Sequence, residues 1–146
     1  MIKKIPITHD LKKLFPALTE RLAQEEDILF AYLGGSYARG KESPLSDIDI
    51  AVFLSDSKKD YFTRKIELNN LITELLGTDE VDIIILNEVT QEFAFNLIKD
   101  GSLLFSQDEA KRIAFEVKVM KEYQDFGHYR ERMIKEYMNR IREEIR

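Results

Sequence analysis

Gly34-Gly-Ser-Tyr-Ala-Arg-Gly-Lys-Glu-Ser-Pro-Leu-Ser-Asp-Ile-Asp49 is the stretch on which the fold turns. It leaves an apolar run, Ile28–Leu33, and closes inside a second run, Asp47–Leu54. The second run alternates. Ile48, Ile50, Val52 and Leu54 fall on one side, and Asp47, Asp49, Ala51 and Phe53 on the other, which is the period of a strand. The first is apolar throughout, as a buried strand is, and Gly34-Gly35 ends it.

Working outward, residues 11–26 have helical patterning, with Pro16 blurring where the helix starts. Asp60–Leu76 predicts a helix with Leu68, Leu71, Ile72 and Leu75 as its apolar stripe and Gly77 as its stop. Val81–Leu86 is a third strand, apolar except for Asp82. Thr90–Asp100 is a helix closed by Gly101, and Leu103–Phe105 is a short strand. Ser106-Gln-Asp-Glu109 has the pattern of a capping box opening a long C-terminal helix. That helix is expected to bend or break near Gly127 and to resume with Ile134, Met138, Ile141 and Ile145 on one side. Strands separated by helices indicate an α/β layered domain. The expected division is a core over residues 1–105 and a helical extension over 106–146, packing on the core or on a partner.

The 146 residues suit one domain, and 44% apolar with 34% charged residues can build a core. The chain has no cysteine, which excludes disulfides, thiolate metal sites and a Cys nucleophile. Of the two histidines, neither His9 nor His128 has a second candidate ligand at metal spacing. The net charge of −5 is unevenly spread. Residues 1–20 carry +2, and residues 111–146 carry +3 from ten basic against seven acidic side chains. The body between them has eight basic against eighteen acidic residues, or −10, which argues against bulk nucleic acid as a partner. The amino terminus lacks the apolar core of a signal peptide, and no apolar run approaches the roughly 20 residues of a membrane span. The expected location is the cytoplasm, with no membrane partner.

The chemistry must therefore come from carboxylates, hydroxyls, amides and Arg or Lys. Gly35 lets a ligand approach the backbone, and free N–H groups after it attract phosphate oxygens. Ser36 adds a hydroxyl, and Arg39 a planar fork for the same anion. Ser46 either fixes the loop or touches nucleotide. Asp47 and Asp49, at i and i+2 of a strand, point to one face. Two like charges there call for a positive counterpart, and Mg²⁺ with oxygen ligands and substrate phosphates is the natural one. Asp82 could join them if its strand lies beside Asp47–Leu54, completing a two-metal site or serving as base. A phosphate cradle with three carboxylates is equipment for nucleotidyl transfer.

Gly35-Ser36, ten intervening residues, then Asp47-Ile-Asp49 resembles the signature of the polymerase-β-like nucleotidyltransferase superfamily. At ordinary residue usage such a four-position match arises by chance on the order of 10⁻³ times per chain. The fuller string is similar to the minimal MNT-domain antitoxins (MntA-like) that accompany HEPN-domain (HepT-like) toxins. Gly34 departs from the bulky apolar residue common before that Gly-Ser pair. The resemblance implies a small mixed sheet of three to four strands flanked by helices. It also implies Mg²⁺, ATP as AMP donor and a tyrosine of the toxin as acceptor. By that carry-over Asp47, Asp49 and Asp82 hold metal, and Gly35 and Ser36 cradle the triphosphate. Two other readings stand beside it: a catalytically weak binding module acting by complex formation, and a small-molecule, antibiotic-type nucleotidyltransferase. The C-terminal stripe is core, a homodimer seam or a docking face.

Overall fold

The structure, a computed structural model, describes residues 11–34, 47–56 and 60–145. Its elements are α1 (Phe15–Ala23, after a 3-10 turn at Leu11–Leu14), β1 (Ile28–Gly34), β2 (Ile48–Leu54), α2 (Tyr61–Leu76), β3 (Val81–Ile85), α3 (Gln91–Asp100), β4 (Ser102–Ser106) and α4 (Glu109–Ile145). Among the described residues one sheet forms, in the order β3-β2-β1-β4. β1 runs antiparallel to both β2 and β4, whereas β2 and β3 are parallel. A parallel pair needs a crossover, and α2 supplies it. The sheet is therefore mixed and helix-flanked, as expected.

The alternation in β2 is realised as two cores. Ile48, Ile50, Val52 and Leu54 join Leu18, Leu22, Leu68 and Ile72 on the face covered by α1 and α2. Ala51 joins Phe30, Tyr32, Leu86 and Leu97 on the opposite face, beneath α3 and the first half of α4. Asp60 caps α2 by accepting from the Thr63 N–H at 2.7 Å, and Gly77, at φ 67°, closes it in the left-handed conformation. The buried row of α2 is Arg64, Leu68, Ile72 and Leu76, with Leu71 and Leu75 half-buried beside it. Arg64 was no part of the expected stripe. It is buried because Asp27 accepts two of its N–H groups at 2.7 Å each, with Glu67 at 3.2 Å.

Two expectations at the C-terminal helix are corrected. Asp108, not Ser106, caps it, accepting from the Lys111 N–H at 3.1 Å, so the helix opens at Glu109. Nor does it break at Gly127: α4 runs 37 residues without interruption, about 55 Å at 1.5 Å per residue. A lone glycine costs a helix only about 1 kcal/mol, and side chains bracketing this one hold it. Tyr123 stacks on Phe95 of α3 at 3.8 Å, and the Arg130 guanidinium lies over the Tyr123 and Phe126 rings while pairing with Glu92. Nearer its start, α4 is fastened to the sheet. The Tyr32 hydroxyl donates to Glu116, which also accepts from Arg112. No helix among the described residues is long and apolar enough to cross a membrane.

Candidate active site

The candidate site is set by strand register. β2 and β3 pair with Asp49 opposite Asp82, and β1 and β2 pair with Gly34 opposite Asp49. One row of the sheet thus reads Gly34, Asp49, Asp82 across three strands. Residues opposite each other in a ladder share a face, so both carboxylates project toward α3. Asp49 is half-buried; Asp82 and Asp47, one residue before β2, are exposed. The register is held at both ends. The Ile48 N–H donates to the Glu80 carbonyl at 3.0 Å at the entry. Beyond β3, the Asn87 amide accepts from the Leu54 N–H at 2.9 Å and donates to its carbonyl at 2.8 Å.

These carboxylates line an open cleft with two lobes that share Asp49, Ile84 and Phe93. One lobe, about 330 Å³, adds Asp82, Lys65 of α2 and Glu88. The other, about 270 Å³, adds Gly34, Asn96, Asp100 and Gly101. The position of Gly34 has a steric reason: a Cβ there would lie 2.8 Å from Leu97 Cδ1 of α3. The space a larger residue would take is filled from the neighbouring helix. A larger cavity, about 540 Å³, lies at the far end of β2 around Phe53 and Phe115, and none of the described motif residues lines it.

Asp49 and Asp82 therefore share one cleft, directly opposed across β2 and β3, whereas Asp47, one residue before β2, lines neither lobe. Gly35, Ser36, Arg39 and Ser46 lie outside the described residues. Among the described residues no three His, Cys, Asp or Glu side chains are grouped closely enough to hold a metal by themselves. The donor set at the row is nonetheless all oxygen, and Mg²⁺ binds through one or two carboxylates completed by water and substrate phosphates. Asp49 and Asp82 fit that pattern. Lys65, Glu88, Phe93 and Asn96 were not anticipated. They sit on α2, on the turn after β3 and on α3, and no spacing rule connects them to a motif more than 15 residues away. The one available signal was Phe93, an aromatic that its amphipathic helix leaves 43% exposed.

A model of the polymerase beta nucleotidyltransferase family matches residues 17–110, well over half of the chain. The chain belongs to the polymerase-β nucleotidyltransferase family. No curated protein matches this nucleotidyltransferase in sequence. Solved structures do. It is similar to a toxin–antitoxin structure with AMP-PNP, at 27% identity and TM-score 0.67 over 85% of this chain and 96% of that one. It is similar to an MntA–HepT toxin–antitoxin mutant with two Asp→Glu changes two positions apart, at 25% identity and TM-score 0.68 over 89% and 99%. A tri-AMPylated HEPN toxin in complex with MNT antitoxin from Shewanella oneidensis shares the fold, at 24% identity and TM-score 0.67 over 88% and 99%. The likeness of this nucleotidyltransferase to minimal, MntA-like members thus extends along nearly the whole chain.

Proposed function

We propose that this nucleotidyltransferase is the antitoxin of a toxin–antitoxin pair and transfers AMP from Mg²⁺-ATP to a tyrosine of a HEPN-domain toxin. The observation that carries the reading is the opposition of Asp49 and Asp82 across β2 and β3 at the edge of an open cleft. The likeness to a toxin–antitoxin structure with AMP-PNP supports a nucleotide in that cleft. The spacing of the two aspartates replaced in the MntA–HepT mutant equals that of Asp47 and Asp49, which supports roles for both.

In this reading the phenolic oxygen forms a bond to the α-phosphorus, the bond from that phosphorus to the bridging oxygen breaks, and pyrophosphate leaves. Asp47 and Asp49 would hold Mg²⁺, which when bound supplies positive charge to the reacting phosphate. Asp82, exposed at the end of the row, would serve as the third ligand or as the base that accepts the phenolic proton. Gly35 and Ser36 would cradle the triphosphate, with Arg39 and Ser46 beside them. Lys65 brings a positive side chain to the lobe that holds Asp82, where charge leaving with pyrophosphate is met. An open cleft suits a macromolecular acceptor, whose own surface closes the site and excludes water.

The test is transfer of label from [α-³²P]ATP to a HEPN-domain toxin supplied as acceptor. Asp49→Asn and Asp82→Asn are expected to reduce labelling by about 10²-fold or more with the fold intact. Equal labelling by wild type and variants would remove this site from the reaction. A second reading, neutralisation by binding alone, draws on the exposed apolar residues of α4. It is favoured if Asp49→Asn still silences the toxin.

A further inference from the structure

α4 outruns the domain it packs on. Its first half uses one face, carrying Phe115, Val119, Tyr123 and Arg130, to cover the sheet and α3. Successive turns keep that face in line, and past Arg130 it continues as Met133, Ile134, Tyr137, Met138, Ile141 and Ile145. Every residue from Glu131 to Ile145 is exposed except Ile141, which is half-buried. Tyr137 is 60% and Ile145 78% exposed. The helix thus carries a core-type stripe for about 20 Å with no core beneath it among the described residues.

We infer that this overhang is the docking rail for the protein acceptor, a partner with an apolar groove rimmed by acidic side chains, and that it presents the acceptor hydroxyl to the Asp49–Asp82 cleft. The inference rests on the function proposed above. Its first support is continuity with the site. α3 is a wall shared by cleft and rail: Phe93 faces the two lobes, while the neighbouring Glu92 pairs with Arg130 at 3.3 Å, where the overhang begins. A protein seated on the rail is therefore held next to the cleft mouth, which raises the local concentration of its hydroxyl. Its second support is area. Six large apolar side chains presenting roughly 100 Å² each give about 600 Å², at the top of what a monomer usually exposes and near the 800 Å² per partner of a stable interface. The third is charge. Residues 127–146 carry six basic against four acidic side chains, an excess that suits an acidic rim and disfavours a second copy of the same helix.

The test uses the full chain and a Met138→Lys, Ile141→Lys double variant, exposed and half-buried positions that line neither lobe of the cleft. Three quantities are measured: binding of a HEPN-domain toxin by sedimentation, label transfer to it from [α-³²P]ATP, and affinity of the chain alone for AMP-PNP. The expected result is at least a tenfold loss of partner binding and of transfer at limiting partner, with AMP-PNP affinity unchanged and transfer recovering as partner concentration rises. Unchanged partner binding would overturn the rail. So would a wild-type dimer that the double variant dissolves, since the overhang would then be a seam between copies. If wild type binds the partner but labels nothing, the proposed transfer fails while the binding comparison still decides the rail.

Discussion

Tyr32→Phe isolates what fastens α4 to the sheet. The Tyr32 hydroxyl, 84 residues away in sequence, donates to Glu116 at a residue only 3% exposed. The substitution keeps the ring, so the packing against Phe30 is unchanged and no cavity opens. It removes one hydrogen bond to a charged acceptor, worth about 1.5–3 kcal/mol. Glu116 is not stranded, because Arg112 still donates to it at 3.0 Å, which places the loss at the low end, about 1.5 kcal/mol. A chain of this size would then melt about 3–6 °C lower. The pH dependence has a definite sign. Burial, and then the hydrogen bond and charge of Glu116, raise the Tyr32 phenol above its ordinary 10.0. Below pH 10 the folded and unfolded chains both hold the proton. Above it the unfolded chain releases its proton while the folded chain keeps it, so stability drains from wild type as pH rises. Urea melts of both proteins at pH 8 and pH 11 measure this, because the other tyrosines cancel in the difference. The stability gap is expected to narrow at pH 11. A gap below about 0.5 kcal/mol at pH 8, or one that stays constant to pH 11, would refute the fastening described here.

Three further outcomes follow from the packing. Gly101→Ala places a Cβ 2.4 Å from the Leu97 carbonyl oxygen and 3.0 Å from that of Leu33, backbone atoms that cannot step aside, so a loss of about 2–3 kcal/mol is expected in urea melts. Gly34→Ala meets only the flexible end of Leu97 at 2.8 Å and is expected to cost less than about 1 kcal/mol, so the two alanines differ though both glycines line one lobe. Arg64→Ala strands Asp27; a fully buried pair would lose about 3–5 kcal/mol, and the 23% exposure of Asp27 lowers the expectation to about 2 kcal/mol, read from the urea midpoint and persisting in 0.5 M NaCl.

How much was legible in advance depended on how far apart the deciding residues lie. β2 and the caps at Asp60, Thr90 and Gly77 follow from patterns that complete within a few positions. The capping box at Ser106 failed for the same reason it tempted. Two acceptors stood within three residues, and the end of β4 holds Ser106 in the sheet and leaves Asp108 to cap. Gly127 misled because propensity is a small term beside the Phe95–Tyr123 stack and the Arg130 contacts around it.

The sequence by itself determined the chemistry on offer: oxygen donors without thiols, two aspartates on one strand face, and an acidic body with a basic tail. Strand period and charge are local or additive properties, and a chain carries them however it folds. Only the tertiary structure decided that Asp82 stands opposite Asp49, that Lys65 and Phe93 wall the same cleft, and that α4 leaves half its apolar stripe uncovered. Those facts depend on the register that the α2 crossover delivers and on where α3 stops relative to α4. Both are set by packing between segments distant in the chain, which no short-range pattern encodes.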